Sequence, residues 1–310
     1  MTTWLILTRI VHIGACLLFF GVFAFDRFVA SVLAQRSREM TDYWQARLRS
    51  IELILLPLGF FSGVAWLALV AMTMSEQPLQ MGILKTVWEQ TQFGTVWKIR
   101  LLILCIATIT AILFSFPKPH DSAKSLLAWF QLTTSGCLLA SLAWAGHGQE
   151  SSLWHLFADV LHLLGAGFWP AGLLPLLLLL RKSRLLASEA DWLFINILVN
   201  RFSAISLTAV SILVVTGFIN SYFLVGSFSN LFNQPYGRWL LAKIIFFCAA
   251  LTIAAFNLLK LKPRLFVENS PEKSKKGVAQ LQMNVQLELF FGLAIVIIVA
   301  ILGILPPAAQ

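Results

Sequence analysis

Eight long apolar segments constrain this chain more than any other feature of its sequence. Of its 310 residues, 58% are hydrophobic and only 12% are charged. A helix needs ~20 apolar residues to cross the hydrocarbon core of a bilayer. The spans are predicted at roughly 3–34, 50–75, 93–116, 123–146, 153–181, 199–226, 237–260 and 284–306. The sequence therefore predicts an all-α integral membrane protein with eight transmembrane helices and no soluble domain between them.

Lysine and arginine concentrate in the loops that follow the first, third, fifth and seventh spans, as Arg36, Lys118, Lys182 and Lys262 illustrate. Because basic residues mark the cytoplasmic side of short loops, both termini are predicted to be periplasmic. The net charge of +9 is mostly this orientation signal, so it indicates no nucleic-acid partner. The expected location is a bacterial inner membrane, crossed several times.

The two halves of the chain, about 1–150 and 151–310, form a weak but ordered internal repeat. The matching positions are Ser62-Gly63 and Thr216-Gly217, Gly94 and Gly237, Arg100 and Lys243, and the segments around His12 and His162. Four spans per half return the chain to its starting side. We therefore expect a single polytopic membrane domain whose halves are related by an axis along the membrane normal.

His12 and His162 each lie inside a predicted span. Each is about nine residues from the outer end of its helix, ~13 Å deep at 1.5 Å per residue. A metal-binding or ionisable side chain is costly within a membrane and usually marks a functional site. Their equal depth is necessary for one shared site, although it does not establish that they are close.

The fifth predicted span carries a stripe of three polar residues. His155, Asp159 and His162 follow the spacing i, i+4, i+7, which keeps them within ~60° of one helix face. A carboxylate beside an imidazole fixes its tautomer and raises its basicity, as suits a metal ligand. The alternative is an ordinary hydrogen-bonded contact between helices.

Three cations in predicted spans are candidate charge partners of this region, namely Arg9, Arg100 and Lys243. Arg9 lies at a depth similar to Asp159, and an ion pair between them would ease the burial of both. Arg100 and Lys243 would weaken the binding of a cation nearby unless a carboxylate offset their charge.

The same cations leave a second hypothesis open, a b-type haem or quinone-linked redox protein. His12 and His162 would be the axial ligands, an arrangement known from helical bundles. Arg100 and Lys243 would then pair with the haem propionates.

Other candidate ligands lie near the predicted outer surface or inside the spans. His147, between two glycines, is a possible entry site together with His155. Met72 and Met74 are possible entry ligands because thioether sulfur suits Cu(I).

The cysteines show no paired spacing, so they are predicted to be small buried packing residues. They are Cys16, Cys105, Cys137 and Cys248. His120 is predicted to be a solvated loop residue.

Motifs of several other protein classes are absent. The sequence contains no Walker motif, no G-x-S-x-G and no H-E-x-x-H, so it supports neither an ATP-driven pump nor a zinc protease.

Several short motifs together resemble the copper resistance protein D (CopD/PcoD-like) inner-membrane family over most of the chain. In order they are Arg9-x-x-His12, Gly146-His147-Gly148, Asp159-x-x-His162, Trp169-x-x-Gly172, Arg201-Phe202-Ser203, Thr216-Gly217, and Tyr236-Gly237-Arg238 with Lys243 and Asn257. One departure is Pro170, which stands where such proteins often have another residue and is expected to kink the fifth span.

This resemblance implies copper handling between periplasm and cytoplasm, commonly import with a separate periplasmic CopC-like copper-binding protein. The predicted function is therefore a transporter of copper ions, Cu(I) or Cu(II), rather than an enzyme. Its predicted metal site combines the candidate ligands of the outer half, His12, His147, His155, Asp159 and His162.

Overall fold

The computed structural model describes residues 1–35, 37–115, 121–145, 152–186, 189–263 and 271–309, which are almost entirely helical. The α-helices are α1 (Thr2–Phe28), α2 (Arg38–Ser75), α3 (Met81–Gln90), α4 (Gln92–Ser115), α5 (Asp121–Ala140), α6 (Leu153–Leu186), α7 (Glu189–Val225), α8 (Phe228–Asn233), α9 (Pro235–Phe256) and α10 (Pro271–Leu302). Short 3₁₀ segments follow α1 and α5, and a π-helical turn, Asn257–Leu261, continues α9.

Eight of these helices are long and apolar enough to cross a membrane: α1, α2, α4, α5, α6, α7, α9 with its π-helical turn, and α10. This finding confirms the all-α fold and the eight predicted spans. The two remaining helices, α3 and α8, are short and immediately precede α4 and α9.

Several helix ends differ from the predicted spans, most clearly the end of α1 and the starts of α2, α7 (Glu189) and α10. α1 stops at Phe28, and α2 already begins at Arg38, where the Ser37 side chain accepts a hydrogen bond from the Met40 amide. α10 begins at Pro271. The first turns of α2 and α10 are polar and extend these helices beyond their apolar spans. A prediction based only on the apolar segments therefore begins both helices too late. α6 stays helical through Pro170 and Pro175.

The helices that carry the two intramembrane histidines, α1 and α6, lie at the centre of the bundle. α1 packs against α2, α5, α6 and α10, and α6 also packs against α5, α7 and α10. A Cβ atom placed on Gly21 would lie only 2.5 Å from the Gly167 carbonyl oxygen and 2.8 Å from the Ala171 Cβ. The small residue therefore lets the two helices touch through their backbones.

The glycines of the internal repeat have the same role in both halves. A Cβ on Gly94 would overlap the Val87 carbonyl oxygen at the end of α3, and one on Gly237 would overlap the Asn230 carbonyl oxygen of α8. Each glycine lets a short helix fold back against the span that follows. The symmetry axis and the periplasmic termini stay predictions.

The contact at Gly21 predicts that Gly21→Ala destabilises the protein by about 1–3 kcal/mol, the usual cost of an overpacked core. Gly14 on the same helix is the matched control, because a Cβ there meets nothing within 4 Å. Thermal unfolding of the purified variants in detergent should show a lower midpoint for Gly21→Ala and no loss for Gly14→Ala. Equal midpoints would contradict the close crossing.

Candidate functional site

His12 is completely buried between α1, α2 and α4. Its Nδ1 lies 3.0 Å from the Ser62 Oγ, which itself donates to the Leu58 carbonyl oxygen at 2.5 Å. Because the single hydroxyl proton is used there, the His12 Nδ1 carries the proton and donates to Ser62. The Nε2 is left as an acceptor. The rings of Trp66 and Trp97 pack against the imidazole, with centroids 5.4 and 5.2 Å away.

Arg100 holds the Nε2 of His12. Its Nη2 donates to that nitrogen at 2.5 Å and to the Cys16 Sγ at 3.5 Å. Its Nη1 donates to the Leu138 carbonyl oxygen and the Ser141 Oγ, at the point where α5 gives way to a 3₁₀ segment. The guanidinium therefore occupies the one His12 nitrogen that has a lone pair for a metal.

His162 makes the equivalent contact in the second half. Its Nδ1 lies 2.9 Å from the Thr216 Oγ1, which donates to the Ile212 carbonyl oxygen at 2.6 Å. The same argument places the proton on Nδ1 and the lone pair on Nε2. Here the repeat-related cation is Lys243, whose charge acts on both His162 and Asp159.

Asp159 lies one turn before His162 and contacts an amide that the sequence analysis missed. The Asn220 Nδ2 donates to the Asp159 Oδ1 at 3.1 Å. The Asn220 Oδ1 is buried and has no hydrogen-bond partner among the described residues. Asn220 follows Thr216 by four residues and so lies on the same helix face. This spacing is the feature of the sequence that could have identified Asn220. An imidazole, a carboxylate and an unpaired amide oxygen thus line one region between α6 and α7.

The other predicted ligands that lie within the described residues make no side-chain hydrogen bond to Asp159, His162 or Asn220. His155 is 1% exposed and stacks on Phe223, with ring centroids 4.8 Å apart. Met72 is half-buried and Met74 is 61% exposed, whereas His147 and His120 lie outside the described residues.

Within the described part of the chain, no group of three or more His, Cys, Asp and Glu side chains is placed to hold a metal ion. Asp159 and His162 lie about one turn apart on α6, with Asn220 and Thr216 of α7 as their respective partners, while His12 has its own hydrogen-bond partners. The five-residue metal site, and the sharing of one site by His12 and His162, therefore stay predictions.

The suggested ion pair between Arg9 and Asp159 is not formed. The Arg9 guanidinium lies 4.7 Å from the centroid of the Trp66 ring and fills the space beside Gly303 at the end of α10. Asp159 contacts Asn220 instead. An aromatic face within the same half of the bundle provided a nearer partner for the cation than a carboxylate on α6.

The prediction that all four cysteines are buried is wrong for three of them. Cys16 is 1% exposed, and its Sγ lies 3.7 Å from the His12 Nε2. Cys105, Cys137 and Cys248 are exposed on the surface of the bundle. In a membrane that surface meets lipid tails, so a small apolar side chain is as acceptable there as in the interior.

The contacts of His12 also bear on the haem hypothesis. An axial ligand needs a free ring nitrogen directed at the iron, and in His12 one nitrogen meets Ser62 and the other meets Arg100. The haem hypothesis assigned Arg100 to the propionates, but its guanidinium donates to the His12 imidazole. The arrangement does not favour haem ligation by this residue.

Comparison with known proteins identifies copper-related membrane proteins. Residues 1–154 match the family model of the copper resistance protein D-like N-terminal domain, and residues 197–302 match that of copper resistance protein D. Copper resistance protein D of Pseudomonas syringae pv. tomato is 32% identical over 230 residues, 71% of each chain. The matched regions fall one in each half of the internal repeat.

Two further relatives are more distant. The copper transport protein CutJ of Bacillus subtilis is 28% identical over 73% of this chain and 39% of its own length. The inner membrane protein YebZ of Escherichia coli is 25% identical over 98% of both chains. No solved structure matches.

The hydrogen bond between His162 and Thr216 predicts that Thr216→Val, which keeps the side-chain shape, destabilises the protein by about 1–3 kcal/mol, because the buried Nδ1–H loses its acceptor. Thr133→Val is the matched control, since Thr133 is exposed and its hydroxyl bonds the Trp129 carbonyl of its own helix. Thermal unfolding in detergent measures both. A similar midpoint in the two variants would contradict the assigned bond.

Proposed function

This chain belongs to the copper resistance protein D family, and we propose that it moves copper ions from the periplasm to the cytoplasm through a His/Asp-lined site in the outer half of its helix bundle. It is a multi-pass inner-membrane protein related to copper resistance and copper transport proteins. In this proposal copper is the cargo of a transporter rather than the cofactor of an enzyme.

The observation that carries the proposal is the region around His162. The imidazole has its Nδ1–H fixed by Thr216, so its Nε2 is available as a ligand, and imidazole suits copper in either oxidation state. Asp159 contributes the negative charge that offsets Lys243, and the Asn220 Oδ1 is an oxygen without a hydrogen-bond partner among the described residues. Together they form a polar environment for a cation within an apolar bundle.

His12 is the second proposed ligand, and Arg100 controls its use. Cys16 adds a thiol, a soft ligand that favours Cu(I), 3.7 Å from the same imidazole nitrogen. Copper reaches this nitrogen only after the Arg100 guanidinium has moved away. Arg100 therefore acts as a gate in the proposal, held closed by its bonds to Leu138 and Ser141.

The outer residues supply the entry route. His147 and His155 capture the ion, Met72 and Met74 offer thioethers on the same side, and a periplasmic CopC-like copper-binding protein delivers it. The predicted periplasmic location of these four residues supports this part of the proposal.

Replacement of the histidines tests transport. His162→Asn retains an amide N–H that can reach Thr216 but removes the ring Nε2, so it should reduce copper accumulation to the level of cells that lack the protein. His12→Ala should do the same, and His120→Ala, in the predicted solvated loop, should not. Cellular copper is measured by mass spectrometry at matched membrane levels of each variant. Equal copper in all strains would refute the proposal.

Replacement of Arg100 tests the gate. Arg100→Gln removes the positive charge beside the His12 Nε2, so the purified protein should bind Cu(I) about tenfold more tightly, which corresponds to ~1.4 kcal/mol. Arg27→Gln is the control, because Arg27 lies over Trp129 at the opposite end of α1. Competition with a chromophoric Cu(I) chelator measures the affinity. Unchanged or weaker binding in Arg100→Gln would contradict the gate.

A further inference from the structure

A cavity of about 140 Å³ lies between α6, α7, α9 and α10, towards the ends of these helices that join the basic loops. Its wall begins on α6 at Trp169, seven residues beyond His162 and thus ~10 Å deeper along the same helix. Most of the lining is apolar. The polar residues that line it are Ser203, Ser206, Asn257, Lys262 and Glu288.

Glu288 is the acidic group of this cavity, and it is only 3% exposed. Its Oε1 accepts a hydrogen bond from the Asn257 Nδ2 at 2.7 Å, and the Asn257 Oδ1 accepts one from the Asn284 Nδ2 at 2.6 Å. Asn257 opens the π-helical turn that continues α9, and such turns are frequent at functional sites. A carboxyl group at this depth is costly and marks an ion or proton pathway.

Ser206 gives independent evidence that the cavity takes a polar occupant. Its side chain is 7% exposed, and its Oγ is buried without a hydrogen-bond partner in the described structure. Burying a hydroxyl without a hydrogen-bond partner is unfavourable. The cavity is large enough for several water molecules, each of which takes ~30 Å³ in the liquid. Water in the cavity would pair this hydroxyl and reach Glu288.

The chemistry of the lining favours a proton over copper. Its described residues include no cysteine, methionine or histidine, so the soft ligands that retain Cu(I) are missing here. Glu288 accepts from the Asn257 amide, and the same cavity is lined by the hydroxyls of Ser203 and Ser206 on α7 and by Lys262, while α6 contributes mainly apolar side chains. A lysine opposes a metal cation, whereas a carboxyl group that gains a proton becomes neutral and tolerates burial.

We propose that Glu288 binds and releases a proton on the loop side of the second half, and that this proton movement drives copper through the site at His162. The step adds a proton from cavity water to a carboxylate oxygen of Glu288. The same O–H bond breaks when the proton returns to water, and no electrons are transferred. This inference rests on the proposed transport function and assigns its energy source.

Proteoliposomes that contain the full-length protein and a trapped pH-sensitive dye test the inference, with Cu(I) held by a weak chelator outside. The unmodified protein should show copper uptake accompanied by a change of luminal pH. Glu288→Gln should lose the pH change and the response of copper uptake to an imposed pH gradient. Glu288→Asp keeps a carboxyl group, so it should restore part of the pH change and part of the response to the pH gradient. Its activity would also show that the protein tolerates substitution at this position.

Glu52→Gln is the matched control. Glu52 is another buried glutamate, 7% exposed, whose Oε1 accepts from the Gln131 Nε2 at 2.7 Å, but it does not line this cavity. It should keep the pH change. Absence of copper uptake by the unmodified protein would refute the transport function itself. Copper uptake without a pH change, or a pH change that persists in Glu288→Gln, would refute the proton site and leave transport intact.

Discussion

The hydrogen bond from a histidine Nδ1 to a hydroxyl on the next span is the interaction on which the rest of the site depends. It joins α1 to α2 through His12 and Ser62, and α6 to α7 through His162 and Thr216. Lipid tails offer no hydrogen-bond partners, so polar groups within the spans are most stable when they are paired inside the bundle. The bond also fixes the tautomer and leaves Nε2 as the acceptor, and in the first half this nitrogen accepts from Arg100 of the third span.

The two halves use this common arrangement differently. In the first half Arg100 donates directly to the His12 Nε2, and two tryptophans pack against the ring. In the second half Asp159 and Asn220 lie beside His162, and Lys243 acts on them through its charge. A planar guanidinium with several donors can close a site by hydrogen bonding, whereas an ammonium is a compact charge on a flexible stem. In the proposed function, the region around His12 is therefore the closed one, and the region around His162 is the one that receives the cation.

Much of the fold could be predicted from the sequence. The length of the apolar segments predicts the number of spans, and the internal repeat predicts which residues of the two halves are equivalent. The repeat matched Ser62 with Thr216 and Arg100 with Lys243, and both pairs proved to be neighbours of the histidines. The sequence did not predict that Arg9 contacts Trp66 or that Cys105 is exposed. Both depend on which helix face meets lipid, and apolar composition is similar on lipid-facing and buried surfaces.

α6 carries both His162 and part of the wall of the cavity that contains Glu288. Because His162 and Trp169 lie on this one helix, the proposed coupling needs a movement of α6 that changes both the surroundings of His162 and the wall of the cavity. α6 also crosses α1 closely at Gly21, where a Cβ atom would overlap the Gly167 carbonyl oxygen. We therefore expect any such movement to be taken up by the other helices that line the cavity, α7, α9 and α10. In the proposed mechanism, a cation beside Asp159 and a proton on Glu288 act on the packing of these helices from two different places, which is the physical requirement for coupling the two.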